Sequence, residues 1–313
     1  MRRTVSIGMA LWLVGLASSS DSASADQLTC ETLGGQFEAR QATLEVPQVS
    51  AALFASAEGG CTDLAGRLLK AGASVSARDR LGGTALTHAA RAGRDAMVRL
   101  LLEHGADPDI RTVDGATPLF VAVEQNRLAA AQALLDAGAK LNIPGRAGVT
   151  PLSAAAFNGN LQLVDLLLKH GADPTLGDLS GKVPIVYAAA RGFTPVVLRL
   201  LETGGDIDTA YGNHLTVLMW AAGHANDVPV DDGVQLVGML LDKGAAIGAR
   251  DDRGRTALMM AAELDHAEIV DLLLKRGASP DVRDRDGKSA EDLASSTPVR
   301  AALAEAGRQS PAR

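Results

Sequence analysis

Between Gly159 and Gly171 the chain sets apolar Leu163, Val164, Leu166, Leu167 and Leu168 at spacings that fill one face of a helix, predicted over Leu161 to His170. Just upstream, Thr150 suits a helix N-cap and Pro151 the first helical position, where its missing N–H costs nothing. A short helix through Leu152 to Phe157 follows, its Ala154, Ala155 and Ala156 small enough for a neighbouring helix to approach closely. Gly159 can end that helix in the left-handed conformation and Gly171 the next, after which Ala172-Asp173-Pro174 begins an extended turn. One such helix pair has an apolar face that it cannot bury alone. Stacking on a copy supplies the cover.

Copies are present. Thr84-Ala85-Leu86, Thr117-Pro118-Leu119 and Thr150-Pro151-Leu152 recur every 33 residues, and the same step reaches Val183-Pro184-Ile185 and Thr216-Val217-Leu218. Thr256-Ala257-Leu258 stands 40 residues further on, and Ser289-Ala290-Glu291 another 33 beyond it. Stepping back from Thr84 gives a degenerate Ala51-Ala52-Leu53. A second landmark keeps the same frame, from Gly72-Ala73 and Gly105-Ala106 to Gly244-Ala245 and Gly277-Ala278. Two motifs in one register predict an all-α solenoid of about eight helix-turn-helix repeats, near 46–78, 79–111, 112–144, 145–177, 178–210, 211–250, 251–283 and 284–309.

The run Asp79, Gly82, Thr84, Leu86, Ala89-Ala90 and Gly93, continued by Leu100-Leu101 and Gly105-Ala106-Asp107, resembles the ankyrin repeat. The resemblance extends from Val46 to about Gly307. It implies an ankyrin-type α-solenoid with β-turn fingers projecting to one side, a concave surface made by fingers and first helices, and binding of another protein without catalysis. The sequence also departs from the family's pattern. The position usually held by His carries Thr87, Phe120, Ser153, Val186, Met219 and Met259, so cohesion between units is expected to lean on packing. In the sixth unit Tyr211 and His214 replace the finger's Asp and Gly. Its period of 40 rather than 33 adds seven residues, which are expected to enlarge the helix-to-helix loop around His224 to Val234. The first unit lacks the Thr-Pro start, and the eighth is expected to have an abbreviated second helix.

Composition narrows the function classes. The chain has 313 residues and is 47% hydrophobic, too apolar for a disordered tail, yet only 3% aromatic, so burial rests on Ala, Leu and Val. A net charge of −7 without any Lys/Arg block argues against nucleic acid as partner. Gly287-Lys288-Ser289 resembles the tail of a phosphate-binding loop, but Val282 stands where that motif needs glycine. The histidines show no H-x-x-x-H pairing, and neither a G-x-S-x-G elbow nor a cysteine-nucleophile signature occurs. No catalytic residue, metal ligand or cofactor is therefore assigned. One alternative stays open: Asp227, Asp231 and Asp232 around Pro229, with His224 nearby, place oxygen ligands in the enlarged loop, where they could take a cation or small ligand. Their spacing matches no calcium loop, and a solvated acidic excursion is the competing reading.

The first residues read as an address. Arg2 and Arg3, the apolar run Val5 to Ala17 and the close Ala23-Ser24-Ala25 fit a secretory signal over 1–25, with the mature start near Asp26. An uncleaved anchor is the alternative, but the run falls short of the roughly 20 residues a spanning helix needs. The expectation is a periplasmic protein, or a secreted one acting on host proteins, with no membrane contact after cleavage. Export favours a disulfide between Cys30 and Cys61, tying the segment 26–45 to the first repeat; free thiols or a redox-active pair are the alternatives.

By analogy with the family, partner contacts fall on the fingers and first helices and on the enlarged loop: Phe157, Tyr187, Arg191, Trp220, His224, Asp231, Asp232 and Arg253. Tyr187 and Trp220 hold equivalent positions one unit apart, where each ring either meets a partner or fills space between units.

Overall fold

A computed structural model describes residues 30–39, 46–223 and 229–309. The signal predicted over 1–25, and His224 and Asp227 in the sixth unit, lie outside the described residues. A helix over 30–39 (α1) leads into the array. The inner helices are α2 (Val46–Gly59), α4 (Ala85–Ala92), α6 (Pro118–Glu124), α8 (Pro151–Phe157), α10 (Pro184–Ala189), α12 (Val217–Ala222), α14 (Ala257–Glu263) and α16 (Ala290–Leu293). The outer helices are α3 (Thr62–Lys70), α5 (Asp95–Glu103), α7 (Leu128–Asp136), α9 (Leu161–Lys169), α11 (Thr194–Leu201), α13 (Val230–Asp242), α15 (Ala267–Lys275) and α17 (Thr297–Gln309).

The sequence explains these boundaries. Thr84, Thr117, Thr150, Thr216 and Thr256 each accept the N–H three residues on, satisfying a donor that the first helical turn leaves free. Gly93 and Gly159 take positive φ (75° and 67°) at the exits of α4 and α8, a conformation open to glycine at little cost. Inner helix packs on inner helix in chain order, α2 on α4, α4 on α6 and onward to α16. Fully buried Ala89, Ala122, Ala155, Ala188, Ala221 and Ala261 line those contacts and permit the close approach. The outer helices bury Leu68, Leu101, Leu134, Leu167, Leu200, Leu240 and Leu273 from one unit to the next, so a single apolar seam runs the length of the array.

Cohesion does not rest on packing alone, which corrects the expectation drawn from the missing His. Arg94 Nε donates to the carbonyl of Glu58, Arg127 Nε to that of Arg91, and Asn158 Nδ2 to that of Glu124, at 3.0–3.2 Å. His266 Nδ1 lies 2.9 Å from the carbonyl of Ala222. Each reaches the carbonyl end of the preceding unit's inner helix, where donors and cations are favoured. Other side chains thus supply links between units that the family's histidine does not.

Two further details differ from expectation. In the eighth unit the first helix is the short one: α16 has four residues and α17 thirteen. α16 stops where Ala294 turns extended (φ −58°, ψ 126°), and α17 carries Pro298 as its second residue, a first-turn position that proline tolerates. In the sixth unit part of the insertion lengthens α13 instead of the loop, and Asp231 and Asp232 sit in the first turn of that helix. Acidic side chains are stabilised there by the helix N-terminus, so their positions have a structural reason.

At the other end, Cys30 of α1 and Cys61, the N-cap of α3, stand at bonding distance with Cα atoms 5.4 Å apart. Phe37 of α1 is buried in the seam, and Glu38 pairs with Arg67 at the surface.

A candidate partner-binding face

The turns preceding the inner helices project as fingers. Within a finger, an aspartate holds the loop by accepting two backbone N–H groups on one oxygen. Asp79 does so from Leu81 and Gly83, Asp178 from Ser180 and Lys182, and Asp251 from Arg253 and Arg255, at 2.7–2.9 Å. Neighbouring fingers are joined by main-chain bonds. The N–H of Val113 donates to Leu81, that of Leu179 to Ala147, that of Asp252 to Asn213 and that of Arg285 to Arg253, at 2.8–3.2 Å. The finger row is therefore a braced rim whose tip side chains are left over for other uses.

These hydrogen bonds set the acids' protonation. Burial pushes the Asp178 carboxyl up, but bonds from Tyr187, Ser180 and the backbone outweigh it and hold it below the ordinary carboxylate range. Asp79 behaves alike: burial raises it, while Gly83, His88 and Leu81 lower it further. Burial, with the Asp178 carboxylate beside it, pushes the Tyr187 phenol up. An unfolded aspartate titrates near 3.9, above its folded value here, so the unfolded chain takes protons first on acidification. The contribution of these carboxylates is complete above that value and is lost as pH falls through the lower folded one. Urea midpoints are expected to stay level from pH 6 to about 5 and then drop. The variant carrying Asp79→Asn and Asp178→Asn should be less stable at pH 6 but show a shallower acid limb. Parallel limbs in the two proteins would contradict the assignment.

The inner helices present three positions per unit toward the fingers' side, spaced i, i+3 and i+4. From the fourth and fifth units these bring together three of the residues expected from the sequence. Phe157 at the end of α8 is 46% exposed and meets Tyr187 edge to face, with ring centroids 6.1 Å apart. The Arg191 guanidinium lies 5.0 Å from the centre of the Phe157 ring and 5.9 Å from that of Phe193. Tyr187 is half-buried and donates its hydroxyl to Asp178, so it both fills the space between units and shows an edge. Trp220, one unit on, is half-buried with Lys182 Nζ 5.5 Å from its ring centre. Its indole N–H is buried without an acceptor in the structure. Arg253 is not part of this cluster; it stands exposed at the tip of the seventh finger. Asp231 and Asp232 lie on α13, an outer helix, and are not loop ligands. Among the described residues no group of three or more His, Cys, Asp or Glu could hold a metal ion.

Two depressions flank the Phe157–Tyr187–Arg191 cluster. One, of about 170 Å³, is bounded by Leu215, Met219, Trp220, Gly223, Arg255, Met260, Glu263 and Leu264. The other, of about 570 Å³, lies over the second to fourth units between the finger tips Leu81 and Val113, the helix residues Val121 and Glu124, and Arg146. Arg146 there is tied to Asp114 at 3.3 Å and to Glu124 at 2.5 Å. Val113 and Leu179, 80% and 87% exposed, were not singled out from the sequence. Their signal was available: a large aliphatic side chain at a turn tip, where the scaffold needs none.

Comparison with known proteins supplies a family. The model for ankyrin repeats (three copies) matches in overlapping stretches, 52–145, 105–178, 152–230, 185–284 and 230–304. The crystal structure of the human ASB11 ankyrin repeat domain is similar at a TM-score of 0.64 and 31% sequence identity, covering 73% of this chain and 99% of that one. No curated protein matches the sequence.

Proposed function

Because the chain belongs to the ankyrin repeat family, whose repeats mark a protein-interaction module, we propose that it is an exported, non-catalytic binder that holds or protects another protein through the fingers and inner helices of its fourth to seventh units. The observation that carries this reading is the exposed Phe157 ring flanked by Tyr187 and capped by Arg191. The cap and packing bonds of the array account for the helices without it, and Tyr, Trp and Arg are the side chains on which binding energy concentrates. Export is supported by the signal-like sequence over 1–25.

The test is cross-linking in the native cell followed by mass spectrometry, with pull-down from periplasmic extract by the intact protein. A saturable partner is expected, with Phe157→Ala and Arg191→Ala each weakening its capture about tenfold or more, the scale of an interface hot spot. Recovery of no saturable partner by folded bait, or equal capture by the variants, contradicts the proposal. Finding the protein in the culture medium rather than the periplasmic fraction would favour action on host proteins instead.

A further inference from the structure

Cys61 holds the N-cap position of an outer helix, the position from which Arg94, Arg127 and His266 reach back to the preceding unit. No unit precedes the first, and Cys61 reaches α1 instead, through its bond to Cys30. The bridge is thus the first unit's form of the link between neighbours. With only two cysteines in the chain, it is also the one link that a thiol can undo.

The surroundings of the bridge leave it accessible. Cys30 is half-buried, whereas Cys61 is 4% exposed. Two depressions have Cys30 in their walls. The first, of about 540 Å³, runs between α1 and α3 past Gly34, Gly35 and Arg67 and also reaches Cys61. The second, of about 360 Å³, lies toward the second unit beside Gly60, Gly93 and Arg94. Both fall within the roughly 300–1,000 Å³ of small-molecule sites. Gly59 keeps the bridge uncrowded, since a Cβ there would come within 3.2 Å of Cys61 Sγ. The equivalent position carries a side chain in other units: Ala92, Gln125, Asn158, Arg191 and Leu264.

We propose that Cys30 is a thiol-exchange site, at which a small thiol opens the link to α1 while the rest of the array stays folded. The thiolate attacks Cys30 Sγ and a bond forms between the two sulfurs. The Cys30–Cys61 bond breaks with its electron pair on Cys61 Sγ, which then takes a proton from water. A second thiolate attacks the sulfur of the bound thiol, leaves as the small disulfide and frees Cys30, which is protonated in turn. Two thiols are oxidised, and the bridge gains the same two electrons. Charge does not choose between the sulfurs: the N-terminus of α3 favours a thiolate on Cys61, and Asp63 in its first turn opposes one. Exposure does choose, and it directs entry to Cys30. The docking of α1 then follows the thiol content of the surroundings.

Incubation of the intact protein with L-cysteine at neutral pH tests the proposal, with mass spectrometry reporting the bridge and hydrogen exchange the fold. Bridge loss should rise in proportion to thiol concentration while α14 to α17 keep their protection. A rate that levels off as thiol rises would mean that the sulfurs are reached only after the first unit opens, and it overturns direct entry. An intact bridge throughout overturns it too. Cys61→Ser and Cys30→Ser locate the point of entry, both lacking the bridge alike. Treated with cystine, the first should gain a cysteinyl group on Cys30 about tenfold faster than the second gains one on Cys61. Equal uptake, or faster uptake at Cys61, overturns the assignment of Cys30. None of these outcomes bears on the partner-binding reading, which rests on the fourth and fifth units.

Discussion

Replacing Cys30 and Cys61 together by serine will loosen the N-terminal end of the array by about 3.7 kcal/mol, the loop-closure entropy of a bridge across 31 residues. A helix as short as α1 is marginal in water on its own, and its side-chain ties include buried Phe37, partly buried Leu33 and an exposed Glu38–Arg67 pair, the pair worth about 1 kcal/mol at most. Because each unit of a solenoid touches only its neighbours, the loss should be local. Hydrogen exchange is expected to accelerate through 30–39, α2 and α3 and to stay unchanged from α14 to α17. Adding a reductant to the parent protein should reproduce the effect and leave the serine variant unaltered. Equal protection of α2 and α3 in both proteins would mean that the bridge contributes nothing to the fold.

Most of the scaffold was legible because its determinants are local. Thr150, Pro151, Gly159 and Gly171 each act within one turn of the chain, so their meaning survives without neighbours, and a period of 33 repeats it. What escaped depends on how consecutive units meet. Phe157 and Arg191 are both among the partner contacts expected from the sequence, yet their ring–guanidinium contact crosses 34 residues and needs the stack to exist before it can be seen. The bonds from Arg94, Arg127 and Asn158 to the preceding inner helix are of the same kind. The start of α17 was, by contrast, readable: proline is tolerated in a helix's first turn, and Pro298 is the second residue of this one. Hydropathy gave no warning at Asp231 and Asp232, since acids favour both loops and the first turn of a helix.

The exchange of Phe120 and Gly145 shows how a departure from the repeat pattern in one unit is answered in the next. Phe120 occupies the position usually given to His, and its ring is buried against the fourth finger, where Gly145 replaces the aspartate. A Cβ at Gly145 would come within 2.7 Å of that ring, closer than real contacts allow. The fourth finger consequently has no side chain at this position to hold its amides. It closes through the N–H of Gly145 on the carbonyl of Val149 and tolerates Ala147 at a φ of 54°. Phe120→Ala should cost about 3–5 kcal/mol, as expected for emptying a buried aromatic site. Gly145→Ala should cost about 1–3 kcal/mol through overpacking. Combined, they should cost less than their sum by about 0.5–3 kcal/mol, because removing the ring makes room for the methyl group. Gly145→Asp in the Phe120→Ala background should recover more, since the carboxylate can then accept finger amides as Asp178 does. Urea unfolding of the four proteins measures the cycle. Additivity within about 0.5 kcal/mol would show that ring and glycine are independent.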